Sequence, residues 1–133
     1  MISAIDTSVL LDVITDDPAR AETSQKLLER AYDEGILVIS DVTYAELAPQ
    51  FDARQDLDAV LERFEIELVD GGADVAHLAG QKWAEYKKGA AGPARFLADF
   101  MIGAHAQLRA DRLLTRDRGF YRSYFPELRL LEA

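Results

Sequence analysis

The chain has 133 residues, 49% of them hydrophobic and 29% charged, a balance that fits one folded domain and excludes a disordered or fibrous chain. With no cysteine it can build neither a disulfide framework nor a thiolate metal site, and its longest apolar runs fall short of the roughly 18 residues a membrane span needs. The formal charge of −9 hides an asymmetry: residues 1–76 carry −13 and residues 77–133 carry +4, a split that can set an acidic pocket beside a basic rim.

Residues 1–6 contain no basic or long apolar leader, so a cytoplasmic protein without signal peptide or membrane contact is expected. The apolar run 2–5 predicts a buried strand, followed at once by a helix over 7–15. Pro18 predicts the start of a second helix over 19–34, whose apolar stripe is Ala21, Leu27, Leu28 and Ala31. A strand over 36–40 leads to a helix over 42–48 with Asp41 as its expected N-cap, and Leu57, Val60, Leu61 and Phe64 mark a helix over 55–64. A strand at 66–69 precedes a helix over 73–87. A connection at 87–96, with Gly89, Gly92 and Pro93, is the one flexible link expected, and a helix over 97–110 follows. Strands at 112–115 and 129–131 complete the pattern, with Phe120, Tyr121, Tyr124 and Phe125 anchoring the last helix to the core. This alternation predicts an α/β sandwich with a mostly parallel five-stranded sheet, in one domain spanning 1–133.

In such sheets ligands bind beyond the carboxyl ends of the strands, near the point where strand order reverses. Asp6 directly follows the first strand and Asp117 follows the fourth. Glu46 lies in the helix after the second strand, and Asp99 in the first turn of the helix over 97–110. Singly, Asp6 and Asp99 read equally well as helix caps and Asp117 as a turn residue. Together they present a charge problem, because two carboxylates about 4 Å apart repel by roughly 4 kcal/mol at an effective dielectric of 20. An oxygen-seeking divalent cation resolves it. With no cysteine and two histidines, zinc is disfavoured.

Four segments carry these acids. Ile5-Asp6-Thr7-Ser8-Val9-Leu10-Leu11 resembles the first motif of PIN-domain nucleases, and Ser40-Asp41-Val42-Thr43-Tyr44-Ala45-Glu46-Leu47 resembles the second. Ala98-Asp99-Phe100-Met101-Ile102-Gly103-Ala104-His105-Ala106 is similar to the third, and Leu114-Thr115-Arg116-Asp117-Arg118-Gly119-Phe120 to the fourth. The resemblance runs from Ile2 to Leu131, and motif order, spacing and length look most like VapC toxins of bacterial VapBC toxin–antitoxin modules. It implies a PIN-like three-layer sandwich whose catalytic set is Asp6, Glu46, Asp99, Asp117 and the bracing hydroxyl of Thr115. Asp6 and Asp99 are the implied ligands of Mg²⁺ or Mn²⁺. It also implies hydrolysis of RNA phosphodiesters, inhibition by a VapB-type antitoxin, a homodimer and a toxin–antitoxin hetero-oligomer.

Around this set, Arg95, Arg116, Arg118 and Arg122 are candidates for a rim that meets RNA phosphates. The apolar residues of 9–14 and 42–51 are candidates for a groove that takes an antitoxin helix. Asp12, Asp16 and Asp17 are expected to solvate the end of the first helix and cap the second. His105 is expected to be packed and His77 to be on the surface. Trp83 and Tyr86 read as core or interface residues. A non-toxin PIN nuclease of RNA processing is the alternative within the family. A receiver-type phosphoacceptor module needs paired acids after its first strand and a late lysine, but Asp6-Thr7 lacks the pair and no lysine follows Lys88. A haloacid-type phosphatase needs Asp-x-Asp there, and Ser8 stands in the second position.

Overall fold

Five short strands alternate with seven helices in a computed structural model that describes residues 1–89 and 95–132. Strand β1 (Ile2–Ile5) leads into α1 (Thr7–Ile14) and α2 (Ala21–Glu34), and β2 (Ile36–Ile39) into α3 (Asp41–Leu47), a 3-10 turn and α4 (Arg54–Arg63). Strand β3 (Ile66–Leu68) precedes α5 (Gly72–Gly89) and α6 (Leu97–Arg109), and β4 (Arg112–Thr115), α7 (Arg118–Tyr124) and β5 (Leu130–Glu132) close the chain. Every expected strand is present, displaced by at most one residue at either end. Of the expected connection at 87–96, residues 90–94 lie outside the described residues.

Two local expectations are corrected. The second helix begins at Ala21 because Asp17 Oδ1 accepts from the amides of Ala19 (2.9 Å) and Arg20 (3.0 Å), which holds the residues around Pro18 in a turn. Helix α3 is capped by Ser40, whose Oγ accepts from Thr43 N at 3.1 Å, so Asp41 is the first helical residue rather than the cap.

The sheet is parallel throughout, in the order β3-β2-β1-β4-β5. Its alternation sends Ile5, Leu37, Ile39 and Leu114 into a core with Leu10, Leu27, Leu47, Leu57 and Leu61 from α1–α4. Ala4, Val38 and Leu113 face a second core with Val75, Phe100, Phe120 and Tyr121 from α5–α7 and with Phe125, which follows α7. Three layers result, as the sequence pattern requires. Phe100 centres the second core, with ring centroids of Trp83, Tyr86, Phe120 and Tyr124 5.0–5.6 Å away. Gly103 permits this packing, since a Cβ there would stand 2.5 Å from the Phe125 ring.

From β1 the chain winds outward through β2 and β3, then returns to place β4 on the other side of β1. The order therefore reverses between β1 and β4, and the Asp6 amide extends that pairing to Leu114 O at 2.9 Å. Asp6 and Asp117 flank this switch point, where α/β sheets bind ligands.

Candidate active site

Asp6 occupies the N-cap position of α1, yet its side chain makes no capping bond. Its carboxylate accepts instead from Thr115 Oγ1 at 2.8 Å, and Thr115 Oγ1 accepts from Asp117 N at 2.9 Å. One fully buried hydroxyl thus joins the ends of β1 and β4. Asp99, in the first turn of α6, accepts from Phe96 N at 3.1 Å and keeps its capping role while facing the same cleft. Glu46 reaches across from α3 to accept from Thr7 Oγ1 at 2.7 Å. All four acids line one open cleft of about 480 Å³ with Thr7, Ser8, Leu11, Ile102 and Arg116.

The electrostatics follow from this convergence. Asp6 is 8% exposed, and its pKa is pushed up from 3.8 to about 6. Burial is the largest cause; the charges of Asp99, Asp117 and Glu46 add to it, against the Thr115 hydrogen bond, which favours the anion. Tyr121, taken in the sequence as an anchor only, is buried against the same cluster. Its hydroxyl is held well above the ordinary phenol value by burial and then by Asp6, Asp99 and Asp117. The signal in the sequence was its place four residues after Asp117, one turn into α7.

The arginines expected to form an open rim all have acidic partners. Arg95 pairs with Asp117, with its guanidinium 4.5 Å above the Phe120 ring and its amide on the Tyr86 hydroxyl at 2.9 Å. Arg116 engages Asp12 through Nε and Nη2 (2.8 and 3.1 Å). Arg118 and Arg122 share Glu132 at 3.1 and 2.6 Å. Asp12 corrects its own expectation: it does not solvate a helix end but is 4% exposed, with Ser24 Oγ donating to it at 2.7 Å. His105 is packed as expected, with Nε2 2.7 Å from Val69 O, and His77 is on the surface.

The donor set fits a hard divalent cation. Every donor is oxygen, the deepest carboxylate carries uncompensated charge, and Ser8 Oγ, which lines the cleft, is the one buried side-chain polar atom without a partner among the described residues. Among the described residues no three acidic or imidazole side chains are gathered closely enough to hold an ion by themselves. Each carboxylate here is drawn to a partner of its own: a threonine hydroxyl, a backbone amide or Arg95. Such a site suits an ion held by one or two carboxylates, with water and phosphate completing its shell, as is usual for Mg²⁺.

The family model for the PIN domain matches residues 4–126. The chain is a PIN domain. PIN-domain nucleases generally use divalent metal ions, and the five-stranded parallel sheet is the PIN-like fold. The PIN chain is similar over 99% of its length to a DNA-bound VapBC from Salmonella typhimurium (26% identity, 98% of that chain, TM-score 0.67). VapBC2 from Rickettsia felis, bound to a fragment of its promoter, matches over 99% of this chain and 98% of its own, at 22% identity and TM-score 0.73. The Mycobacterium tuberculosis VapC toxin that cleaves the sarcin-ricin loop covers 96% of this chain and 98% of its own, at 18% identity and TM-score 0.60. Comparison with curated protein sequences finds no match. Among the described residues no helix is long and apolar enough to cross a membrane.

Proposed function

We propose that this PIN domain is a Mg²⁺- or Mn²⁺-dependent ribonuclease that acts as the toxin of a VapBC-type module and is restrained by a VapB-type antitoxin. The observation that carries the reading is the Asp6 carboxylate, buried at the sheet's switch point in a cleft that three further acids also line. Four acids lining one cleft repel one another, a cost that folding alone does not require and that a cation held against a phosphate relieves.

In this reading Asp6 and Asp99 hold the ion, and Asp117 and Glu46 complete the negative field that draws it. An ion held there would supply a water of lowered pKa and would neutralise charge on the leaving oxygen. Thr115 fixes Asp6 by donating its proton to Oδ2, so the carboxylate does not turn away when its negative neighbours repel it. Thr7 fixes Glu46 in the same manner. Leu11 and Ile102 supply the apolar walls that strengthen each charge interaction inside the cleft.

The toxin role draws support from the similarity to VapBC complexes over nearly the whole chain. Leu11, Val13, Ile14, Tyr44 and Phe51 are only partly buried on the α1–α3 side, a surface suited to an amphipathic antitoxin helix that brings a basic side chain to Asp6 and Asp99. Phe96 (71% exposed) and Leu97 (47%), at the start of α6, suit a homodimer contact through the later helices.

Purified protein should cleave RNA with Mg²⁺ or Mn²⁺ and not in excess EDTA; equal cleavage in both would refute the metal-dependent reading. Expression in bacteria should arrest growth, and co-expression of the antitoxin should restore it. Cleavage without arrest would instead favour a PIN nuclease of RNA processing.

A further inference from the structure

We propose that the small cleft lined by Arg20, Arg116 and Arg118 is a phosphate-binding subsite for the RNA backbone beside the catalytic cleft, with Asp12 and Ser24 positioning Arg116. The proposal rests on the ribonuclease reading and adds to it a path for the strand. The catalytic cleft alone is a poor place for a polyanion, because four carboxylates line it. A strand held there needs cationic contacts close by.

Arg116 supplies the continuity. It lines the catalytic cleft with Asp6 and Asp117, and it also lines a neighbouring cleft of about 220 Å³ with Arg20, Thr115, Arg118 and Glu132. Thr115, which braces Asp6 from the end of β4, also lines the second cleft, so both clefts adjoin the same strand end. Around the second cleft three guanidinium groups meet a single lining carboxylate, Glu132, which is already shared by Arg118 and Arg122. Among the described residues Arg20 has no acidic partner. In a chain of net charge −9 this local excess of cations stands out against its surroundings.

Arg116 is also built to hold one orientation. Two of its five N–H donors are spent on Asp12, through Nε and Nη2. This side-on fork leaves Nη1 to a ligand. The Asp12 side chain is 5% exposed and that of Arg116 is 29% exposed, so the anchor is internal while the guanidinium reaches the cleft mouth. Ser24, fully buried on α2, donates at 2.7 Å to Asp12 Oδ2, the oxygen that also accepts from Arg116 Nε, and fixes the carboxylate in turn. A preorganised guanidinium loses less freedom on meeting a phosphate than a mobile one, which is how a buried pair remote from the scissile bond serves substrate binding.

Binding of a fluorescent single-stranded oligoribonucleotide in EDTA, from 50 to 200 mM salt, tests the subsite. Each phosphate contact adds about 0.7 to the slope of log K against log salt for single strands. Arg20→Gln and Arg116→Gln should each make the slope shallower by about that amount, and Arg116→Gln should weaken binding about tenfold at low salt, the order expected for a charged hydrogen-bond donor. Asp12→Asn should raise KM in Mg²⁺ several-fold with kcat within twofold, and its salt slope should approach that of Arg116→Gln. Arg54→Gln, on α4 and paired with Asp58, is the control and should change neither quantity. Arg20 is exposed, so its substitution leaves the fold intact whatever happens to the buried pair. Wild-type cleavage with slopes unchanged in Arg20→Gln and Arg116→Gln would overturn the subsite and leave the nuclease reading standing. Shallower slopes without any metal-dependent cleavage would support the subsite and overturn the nuclease. Wild-type protein that neither binds nor cleaves RNA would overturn both.

Discussion

Replacing Asp6 with asparagine should make the ion-free protein more stable at neutral pH, although it removes a residue proposed to be essential. The sign follows from the direction of the pKa change. In the fold the Asp6 carboxyl titrates at about 6 rather than 3.8, so the folded state holds its proton more tightly than the unfolded chain does. Below pH 4 both states are protonated and the residue costs nothing. Stability is then lost as pH rises from about 4 to 6, and above pH 6 the full cost is present. At 1.36 kcal/mol per pH unit, the rise corresponds to a cost of about 3 kcal/mol. Asparagine carries no charge and keeps one oxygen to accept from Thr115 Oγ1, so most of this cost should vanish. For a chain of this size that amounts to a melting temperature about 10 °C higher at pH 7.5. Thermal and urea unfolding of both proteins in EDTA, from pH 4 to pH 8, reads the effect directly. The curves should meet near pH 4 and separate up to pH 6–7. A gap that is absent, reversed or independent of pH would refute the claim that Asp6 is buried as an uncompensated anion.

Two further outcomes follow from the same cluster. Millimolar Mg²⁺ should raise the melting temperature of wild-type protein, by about 2.7 kcal/mol of stabilisation at a hundredfold excess over Kd, and should do much less for Asp6→Asn; equal shifts in the two proteins would place the ion elsewhere. Gly103→Ala should destabilise by about 1–3 kcal/mol in urea unfolding, because its methyl group meets the Phe125 ring; an unchanged midpoint would show that α6 and α7 part easily.

The fold was largely legible because its signals are local. Residues 2–5 and 112–115 are short segments, almost wholly buried, whose apolar residues are bounded by turn and helix signals, and so they read as strands of a covered parallel sheet. Asp6, Asp99 and Asp117 could be placed because each follows or opens an element whose end the pattern defines. Pairing across the sequence was not legible. Asp12 reads as a helix-end carboxylate until Arg116, 104 positions away, supplies its counter-charge. The basic rim was seen as a count of arginines, but that count cannot show that Arg95 is drawn to Asp117 or that Arg118 and Arg122 share Glu132. Tyr121 was hidden for a related reason, since an aromatic residue on a short helix looks the same in sequence whether its hydroxyl faces the core or a carboxylate cluster. The cap of α3 was missed by one residue because Ser40 and Asp41 are both good caps, and only the Thr43 amide distinguishes them.

The central claim is that Asp6 and Asp99 together hold the ion on which RNA cleavage depends. Its most direct test is cleavage of one RNA substrate by Asp6→Asn and Asp99→Asn, each shown by circular dichroism to be folded, across a titration of Mn²⁺. Both variants should lose cleavage by at least a hundredfold at the manganese concentration that saturates the wild type, with Mn²⁺ binding weakened in parallel. Wild-type cleavage and wild-type Mn²⁺ affinity in either folded variant would contradict the account.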